Sequence, residues 1–368
     1  MKKNFLLFFS MALLAFSSSA QDCTNESLLQ KAGTWKESSG GTSNVSATDL
    51  PREKKVLTAI NTMIKSKYAP LGVSAFMNES YDRPESIMTC NSYRYSILPL
   101  NYYCDGNAIK TATETSTTFE LTVNKFDVDI YDTTNEGRAL DEGFHVMPHL
   151  PIEKDGYWFF KEIDASLGFQ MSGKSCMWLI TYDGKLPYSY VSKKEFLEKR
   201  KRSLYTLMEN SAIGIKDNLK TIELEKTLTE KELKNDPEKL KSYLKMGYQY
   251  KKDKYQKFLE DNEKTFKPAF EDIEKQLRMS TEILNQKAIV KRDPNDTYNY
   301  LFTDDNDKFG EVLIKLNPSY FNKKLSKTVP QFFLIYITWN HNEPIATKFR
   351  EDIISAIDFA TLKNMLGK

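Results

Sequence analysis

GFQMSGKS, residues 168–175, fits the phosphate-cradling pattern G-x-x-x-x-G-K-[ST] at every fixed position. A working loop of that kind sits between a strand and a helix, so that backbone N–H groups and the helix N-terminus surround the phosphates. Here Cys176 to Tyr182 reads as a strand bounded by Asp183-Gly184. The segment is therefore expected to turn a β-hairpin with Lys174 facing solvent, and no cofactor is expected.

Other residues suggest chemistry less strongly. His145 and His149 lie four apart, but Pro148 between them disfavours a regular helical face. A transition-metal site needs a third ligand such as Asp141 or Glu142, so the two histidines read as loop residues, with metal binding as the sharper alternative. Asp127 and Asp129 share one side of a strand, about 7 Å apart by the strand rise. Paired carboxylates suit acid/base work or calcium, yet the polar side of a half-buried strand accounts for them. Asp304 to Asp307 is acidic like a calcium loop, but Phe309 falls on a ligand position, and a hairpin turn is expected instead. KRKR at 199–202 sits in a Glu/Lys-rich helix and reads as a solvated helical face. Neither H-E-x-x-H nor G-x-S-x-G occurs. Trp35 and Tyr320 lie outside the periodic apolar patterns and are the aromatic candidates for a binding surface.

The compartment follows from the N-terminus. Lys2 and Lys3, an apolar run from Phe5 to Phe16 and Ser17 to Ala20 form the three parts of a cleavable secretory signal over residues 1–20. No later stretch approaches the roughly 20 apolar residues of a membrane span. The net charge of +2 falls to about zero once the two signal lysines are removed, which leaves no global field for nucleic acid or anionic lipid. Four cysteines in an oxidising compartment favour disulfides. Cys90 and Cys104 flank NSYRYSILPLNYY, which reads as two strands turning near Pro99. Pairing across that hairpin, worth roughly 3 kcal/mol, is expected, with Cys23 joined to Cys176. Four cysteines allow three connectivities, and no C-x-x-C spacing supports zinc.

The elements that position these residues fall into three stretches. With 40% apolar and 12% aromatic residues the chain is globular rather than disordered. Over 21–190, an amphipathic helix from Asp49 to before Pro70 is followed by strand-like runs, which predicts an α+β unit. Residues 191–288 carry roughly 40 charged side chains and two helix starts, a capping box at Ser192–Glu195 and the pair Asp236-Pro237. Leu240, Leu244, Tyr248, Tyr255, Leu259, Phe266, Phe270 and Ile273 step at helical spacing beyond the second start, with a kink or break expected at Pro268. A helical hairpin or coiled-coil-like arm is predicted. Over 289–368, YNYLF and EVLIKL read as a hairpin, VPQFFLIYITW as a buried strand and residues 345–366 as a closing helix, together packed on the first unit. The fold class expected is α+β, with antiparallel sheet portions at both ends joined by a long charged helical segment.

GTWK (33–36), KYAPLG (67–72), LITYDGKLPYSYVSKKEFL (179–197), NPSYF (317–321) and DFATLKNMLGK (358–368) resemble segments of uncharacterised exported proteins of Bacteroidetes-type bacteria. That resemblance implies a Gram-negative envelope setting and supplies no catalytic residue. The leading expectation is a periplasmic or secreted protein that acts by binding a protein or glycan partner, through the arm or a sheet edge. The alternative is a glycan- or peptide-directed hydrolase with a cleft between the α+β portions.

Overall fold

The computed structural model describes residues 23–38, 41–42, 45–82, 90–125, 144–147, 149–167, 172–182, 184–293, 296–307 and 309–368. Helix α1 (Asn25–Leu29) and strand β1 (Thr34–Ser38) precede helix α2 (Leu50–Lys67). Strands β2 (Val73–Asp82), β3 (Ser92–Asp105), β4 (Ala108–Thr111), β5 (Thr118–Val123) and β6 (His145–Met147) follow. Next come β7 (Ile152–Lys154), β8 (Tyr157–Ser166), β9 (Ser172–Ile180) and β10 (Tyr188–Tyr190). The helical stretch comprises α3 (Lys193–Glu232), α4 (Pro237–Ser242), a π-helical segment (Tyr243–Gln249), α5 (Tyr250–Gln276) and α6 (Thr281–Leu284). The chain closes with β11 (Ile289–Asp293), β12 (Asp296–Phe302), β13 (Glu311–Leu316), β14 (Phe333–Trp339), α7 (Pro344–Ala356) and α8 (Phe359–Met365). The fold is α+β, as its sequence pattern predicts.

Two sheets organise it. The larger has nine strands in the order β1-β2-β3-β5-β14-β9-β8-β7, with β4 on β3. Among the described strands of this sheet, the β1–β2 pairing alone is parallel. The smaller runs β10-β13-β11-β12, with β6 on β13. Strand β14, late in the chain, lies between β5 and β9 at the centre of the larger sheet. Its two faces explain its continuous apolar run. Phe333, Ile335, Ile337 and Trp339 join a core with Leu57, Ile60 and Ile64 of α2 and Phe349 and Ile353 of α7. Leu334 points the other way, into a core shared with Val312 and Ile314 of β13 and Tyr320, Phe321 and Phe332. Leu313, between those two β13 residues, faces Phe196, Leu204, Phe266 and Ile273 of the helical arm. Period-two alternation thus stacks four layers: helices, large sheet, small sheet, arm.

Four local expectations are overturned. The Cys90–Cys104 segment is one 14-residue strand, not a hairpin, so its ends lie about 45 Å apart and cannot be bridged. Cys104 instead bonds Cys23, and Cys90 and Cys176 are buried free thiols. Pro99 fits inside β3 because Tyr102 N–H donates to Gly72 on the β2 side, so by alternation the Pro99 nitrogen faces the opposite side. There β5 pairing ends at Ile97 and β4 pairing begins at Tyr102, so no ladder bond is lost. YNYLF (β12) does not pair with EVLIKL (β13). Both strands pair with β11, on opposite sides. The acidic stretch carries the chain across β11, where Asp307 takes Lys291 Nζ at 2.6 Å, Thr303 Oγ1 at 2.8 Å and the Phe309 N–H at 3.0 Å. These bonds, the Lys291 one foremost, lower the Asp307 pKa to about 2. The closing helix is split in two, because Ile357 leaves helical geometry and Asp358 caps α8 by accepting from Thr361 N–H at 3.0 Å.

Candidate functional site

The arm consists of two antiparallel rods, α3 and the continuous helical run 237–276, each about 60 Å long by the helical rise. Ser192 caps α3 by accepting from Glu195 N–H at 3.1 Å, while the Glu195 carboxylate reaches Lys315 Nζ at 2.6 Å instead of closing the capping box. Asp236 caps the second rod through Lys239 N–H at 3.1 Å, with Pro237 in its first turn. Helix α5 runs unbroken through Pro268, and the irregularity falls at 243–249, where the π-helical segment turns Tyr248 inward.

The base of the arm is anchored and its far half is not. Phe196, Leu197, Leu204, Phe266, Ala269 and Ile273 are buried against β11 and β13. Tyr205 and Phe270 stack with centroids 4.3 Å apart, and Asn262 Nδ2 donates to the Met208 carbonyl at 2.9 Å. Further out, the rods hold one another by polar rungs. Lys252 Nζ meets Glu223 Oε1 at 2.8 Å, Lys251 meets Glu225 Oε2 at 2.9 Å, and the Tyr248 hydroxyl donates to Glu223 Oε1 at 2.8 Å. Bonds from Lys252 and then Tyr248 lower the Glu223 pKa.

Against that polar frame, apolar side chains stand in water. Leu224 is 66%, Leu228 59% and Ile213 56% exposed on α3; Met246 is 71% and Tyr250 66% exposed on the returning rod. Leu224 lies two residues, about 200°, from buried Ile222, and Tyr250 the same from buried Tyr248. Each set therefore occupies the edge of its rod that faces away from the other rod. The rungs place Leu224 and Leu228 at the height of Met246 and Tyr250 along the hairpin, with Ile213 about 15 Å nearer the base. The helical periodicity in the sequence describes the inward stripe, and Tyr248, Phe266 and Ile273 are buried as it predicts. The outward edges were missed. The only signal for them was the leucine pair 224/228 at i,i+4 inside a charged run.

The residues singled out by type and spacing are not brought together. Gly173 and Lys174 lie in β9, paired antiparallel with β8, and no helix follows them. Lys174 Nζ binds Asp164 Oδ1 at 2.7 Å across the hairpin, and Leu167 packs where a Cβ on Gly173 would sit. His145 lies in β6 opposite Ile314, and burial lowers the His149 pKa against a smaller opposing pull from Asp305. Asp127, Asp129, Asp141 and Glu142 fall outside the described residues. Among the described residues no three His, Cys, Asp or Glu side chains converge in a metal-binding group.

KRKR is less solvated than expected: Lys199 lies over Phe144 at 5.5 Å, Arg200 over Tyr300 at 5.1 Å, and Lys201 binds Glu274 Oε1 at 2.8 Å. The cluster clamps the arm to its base. Beside it Arg202, Ser203, Thr206 and Asn210 border a groove of about 530 Å³, whose described lining holds no carboxylate, imidazole or thiol. Tyr320 is a core residue whose hydroxyl donates to the Gln331 carbonyl at 2.7 Å. Trp35 packs edge-on against Tyr68, with Lys65 5.0 Å above its ring.

A second polar cluster, at the start of α2, is fully internal. Glu53 is buried and accepts from Asn91 Nδ2 at 2.6 Å, and its other carboxylate oxygen has no hydrogen-bond partner among the described residues. Burial, opposed by that bond, raises its pKa. Asn124 joins the cluster by donating to the Asn91 carbonyl at 3.2 Å. These bonds tie together segments distant in sequence. Comparison with known protein families, curated proteins and solved structures found no match. Among the described residues no helix is long and apolar enough to cross a membrane.

Proposed function

We propose that the chain is an exported protein of a Gram-negative envelope that works by binding, and that the outer edge of α3 receives a protein partner. The observation that carries this reading is the exposure of Ile213, Leu224 and Leu228. Spacings of eleven and fifteen residues from Ile213 put all three on one side of the helix. Burying a leucine side chain is worth about 1.5–3 kcal/mol, so a partner lying along about 22 Å of this edge gains an apolar anchor at Leu224 and Leu228 and a further contact at Ile213. An aliphatic edge suits a protein better than a glycan, whose hydroxyls require polar partners. Export is supported by the three-part N-terminal sequence and by the Cys23–Cys104 disulfide, a bond that persists in oxidising compartments.

The test is site-specific photo-cross-linking in intact cells, with the reactive group at position 224 and, as a control, at exposed Lys54 on α2. One dominant cross-linked protein at 224 and not at 54 is the expected result. Equal patterns at the two positions would reject the α3 edge as a docking surface.

A further inference from the structure

The edge of the returning rod differs in chemistry from that of α3. Met246, Tyr250, Lys254 and Lys257 follow one another at successive turns along it, with Phe258 alongside at 47% exposure. Lys241, Lys245, Lys254 and Lys257 are exposed and take part in no ion pair among the described residues, which spend Lys239, Lys251 and Lys252 on Asp236, Glu225 and Glu223. Residues 231–257 hold nine lysines against Glu232, Asp236, Glu238 and Asp253, and counting Glu223 and Glu225 on α3, which pair with Lys252 and Lys251, a surplus of three remains in a chain whose total is +2. Two of those acids are engaged locally: Asp236 by Lys239, and Asp253 by Gln249 Nε2 at 2.7 Å. A chain with little overall charge thus concentrates positive charge at the far end of its arm, beside a thioether, a phenol and a phenyl ring in water.

That combination selects among anionic partners. Nucleic acid would satisfy the lysines and leave Met246 and Phe258 wet. A second copy of the same edge would set lysine against lysine. A bilayer with anionic headgroups presents a negative plane over an apolar layer, which matches Lys254 and Lys257 following Met246 and Tyr250 along one edge, with exposed Lys241, Lys245 and Phe258 flanking it. We infer that the outer edge of residues 241–258 lies flat on an anionic bilayer surface, with Met246, Tyr250 and Phe258 in the headgroup layer and the four lysines on lipid phosphates. The inference is independent of the protein-docking reading, because the α3 edge faces the opposite way and stays free.

The experiment is co-sedimentation of the purified protein with vesicles of phosphatidylcholine alone and of phosphatidylcholine with phosphatidylglycerol. Binding is expected to the anionic vesicles only, and to weaken with salt as the screening length falls from about 10 Å at 0.1 M to about 3 Å at 1 M. Each lysine near such a surface contributes about five-fold in partitioning, so K241Q/K245Q/K254Q/K257Q is expected to lower the partition coefficient more than about tenfold. Circular dichroism confirms that the variant keeps its helices, and M246S/Y250S, which retains the lysines, is expected to bind more weakly on its own account. L224S/L228S, on the other edge, is expected to bind like wild type. No sedimentation, equal binding to neutral vesicles, or wild-type binding by the lysine variant would overturn the inference. Any of these alongside an intact cross-link at position 224 would leave the protein-docking reading standing.

Discussion

Asn91 Nδ2 lies 2.6 Å from Glu53 Oε1, and both residues are buried, so an amide from the start of β3 is the described donor to a carboxyl in the first turns of α2. Burial raises the Glu53 pKa above its ordinary value of 4.5. A carboxyl whose folded value is raised stabilises the fold fully only while protonated. Its contribution is whole below 4.5 and is lost as the pH rises through the folded value. Glu53→Gln is therefore expected to abolish a decline in stability that wild type shows as the pH rises above 4.5, measured by urea midpoint at each pH. Asn91→Ala, which leaves the carboxyl without its donor, is expected to cost about 1–3 kcal/mol and to extend that decline to higher pH.

The Cys23–Cys104 bond closes a separation of 81 residues and ties α1 to the far end of β3. Cys23→Ser and Cys104→Ser are each expected to cost about 2–5 kcal/mol, and the double variant no more than either alone, since all three remove the same bond. Burial pushes the Cys90 and Cys176 thiols up to about 12, so both should resist a thiol reagent in the native protein and react on unfolding. Mass spectrometry after labelling in denaturant should find two modified cysteines without reductant and four with it.

The arm divides into a part that holds the fold and a part that does not. Phe266→Ala, in the core between arm and small sheet, is expected to cost about 3–5 kcal/mol. Leu224→Ser, out on the exposed edge, should stay within about 0.5 kcal/mol of wild type. Denaturant titration of both variants gives the comparison. A large loss for Leu224→Ser would place that side chain in the folding core and remove it as a docking residue.

Some of this was legible in the sequence for definite reasons. FFLIYITW announces a strand buried on both faces because β14 contributes to two cores, so apolar residues occupy both of its sides. The strand after the GKS motif is legible because Cys176 to Ile180 carries strand chemistry, and β9 runs through it where a phosphate loop needs a helix. Strand partners were another matter. The residues of β12 and β13 encode a strand each, but which neighbour each takes depends on the Asp307 bonds that carry the intervening chain across β11. The cysteine pairing failed through Pro99, which reads as a turn until its nitrogen is found facing the unpaired gap beside β3. Site residues were least legible. Helical periodicity reports the buried stripe of the arm, and the outward apolar residues appear there only as interruptions in a charged run.

Asn124 tests how tightly the distant segments are tied. It is fully buried with φ of 55°, a left-handed conformation that side chains other than Asn and Asp rarely adopt. Its Oδ1 accepts from the Gln331 N–H at 2.7 Å, and its Nδ2 donates to the Val329 carbonyl at 2.9 Å and the Asn91 carbonyl at 3.2 Å. One side chain thus joins the end of β5, the start of β3 and the segment leading into β14. Asn124→Gly keeps the backbone geometry and loses the bonds; Asn124→Ala loses the bonds and adds strain. Alanine is expected to cost at least about 3 kcal/mol and glycine about 1 kcal/mol less, read from denaturant midpoints. If glycine proved as stable as wild type, the side-chain bonds would carry no weight and backbone conformation alone would explain the asparagine. If alanine and glycine were equal, the strain would be absent and the bonds would account for the whole effect.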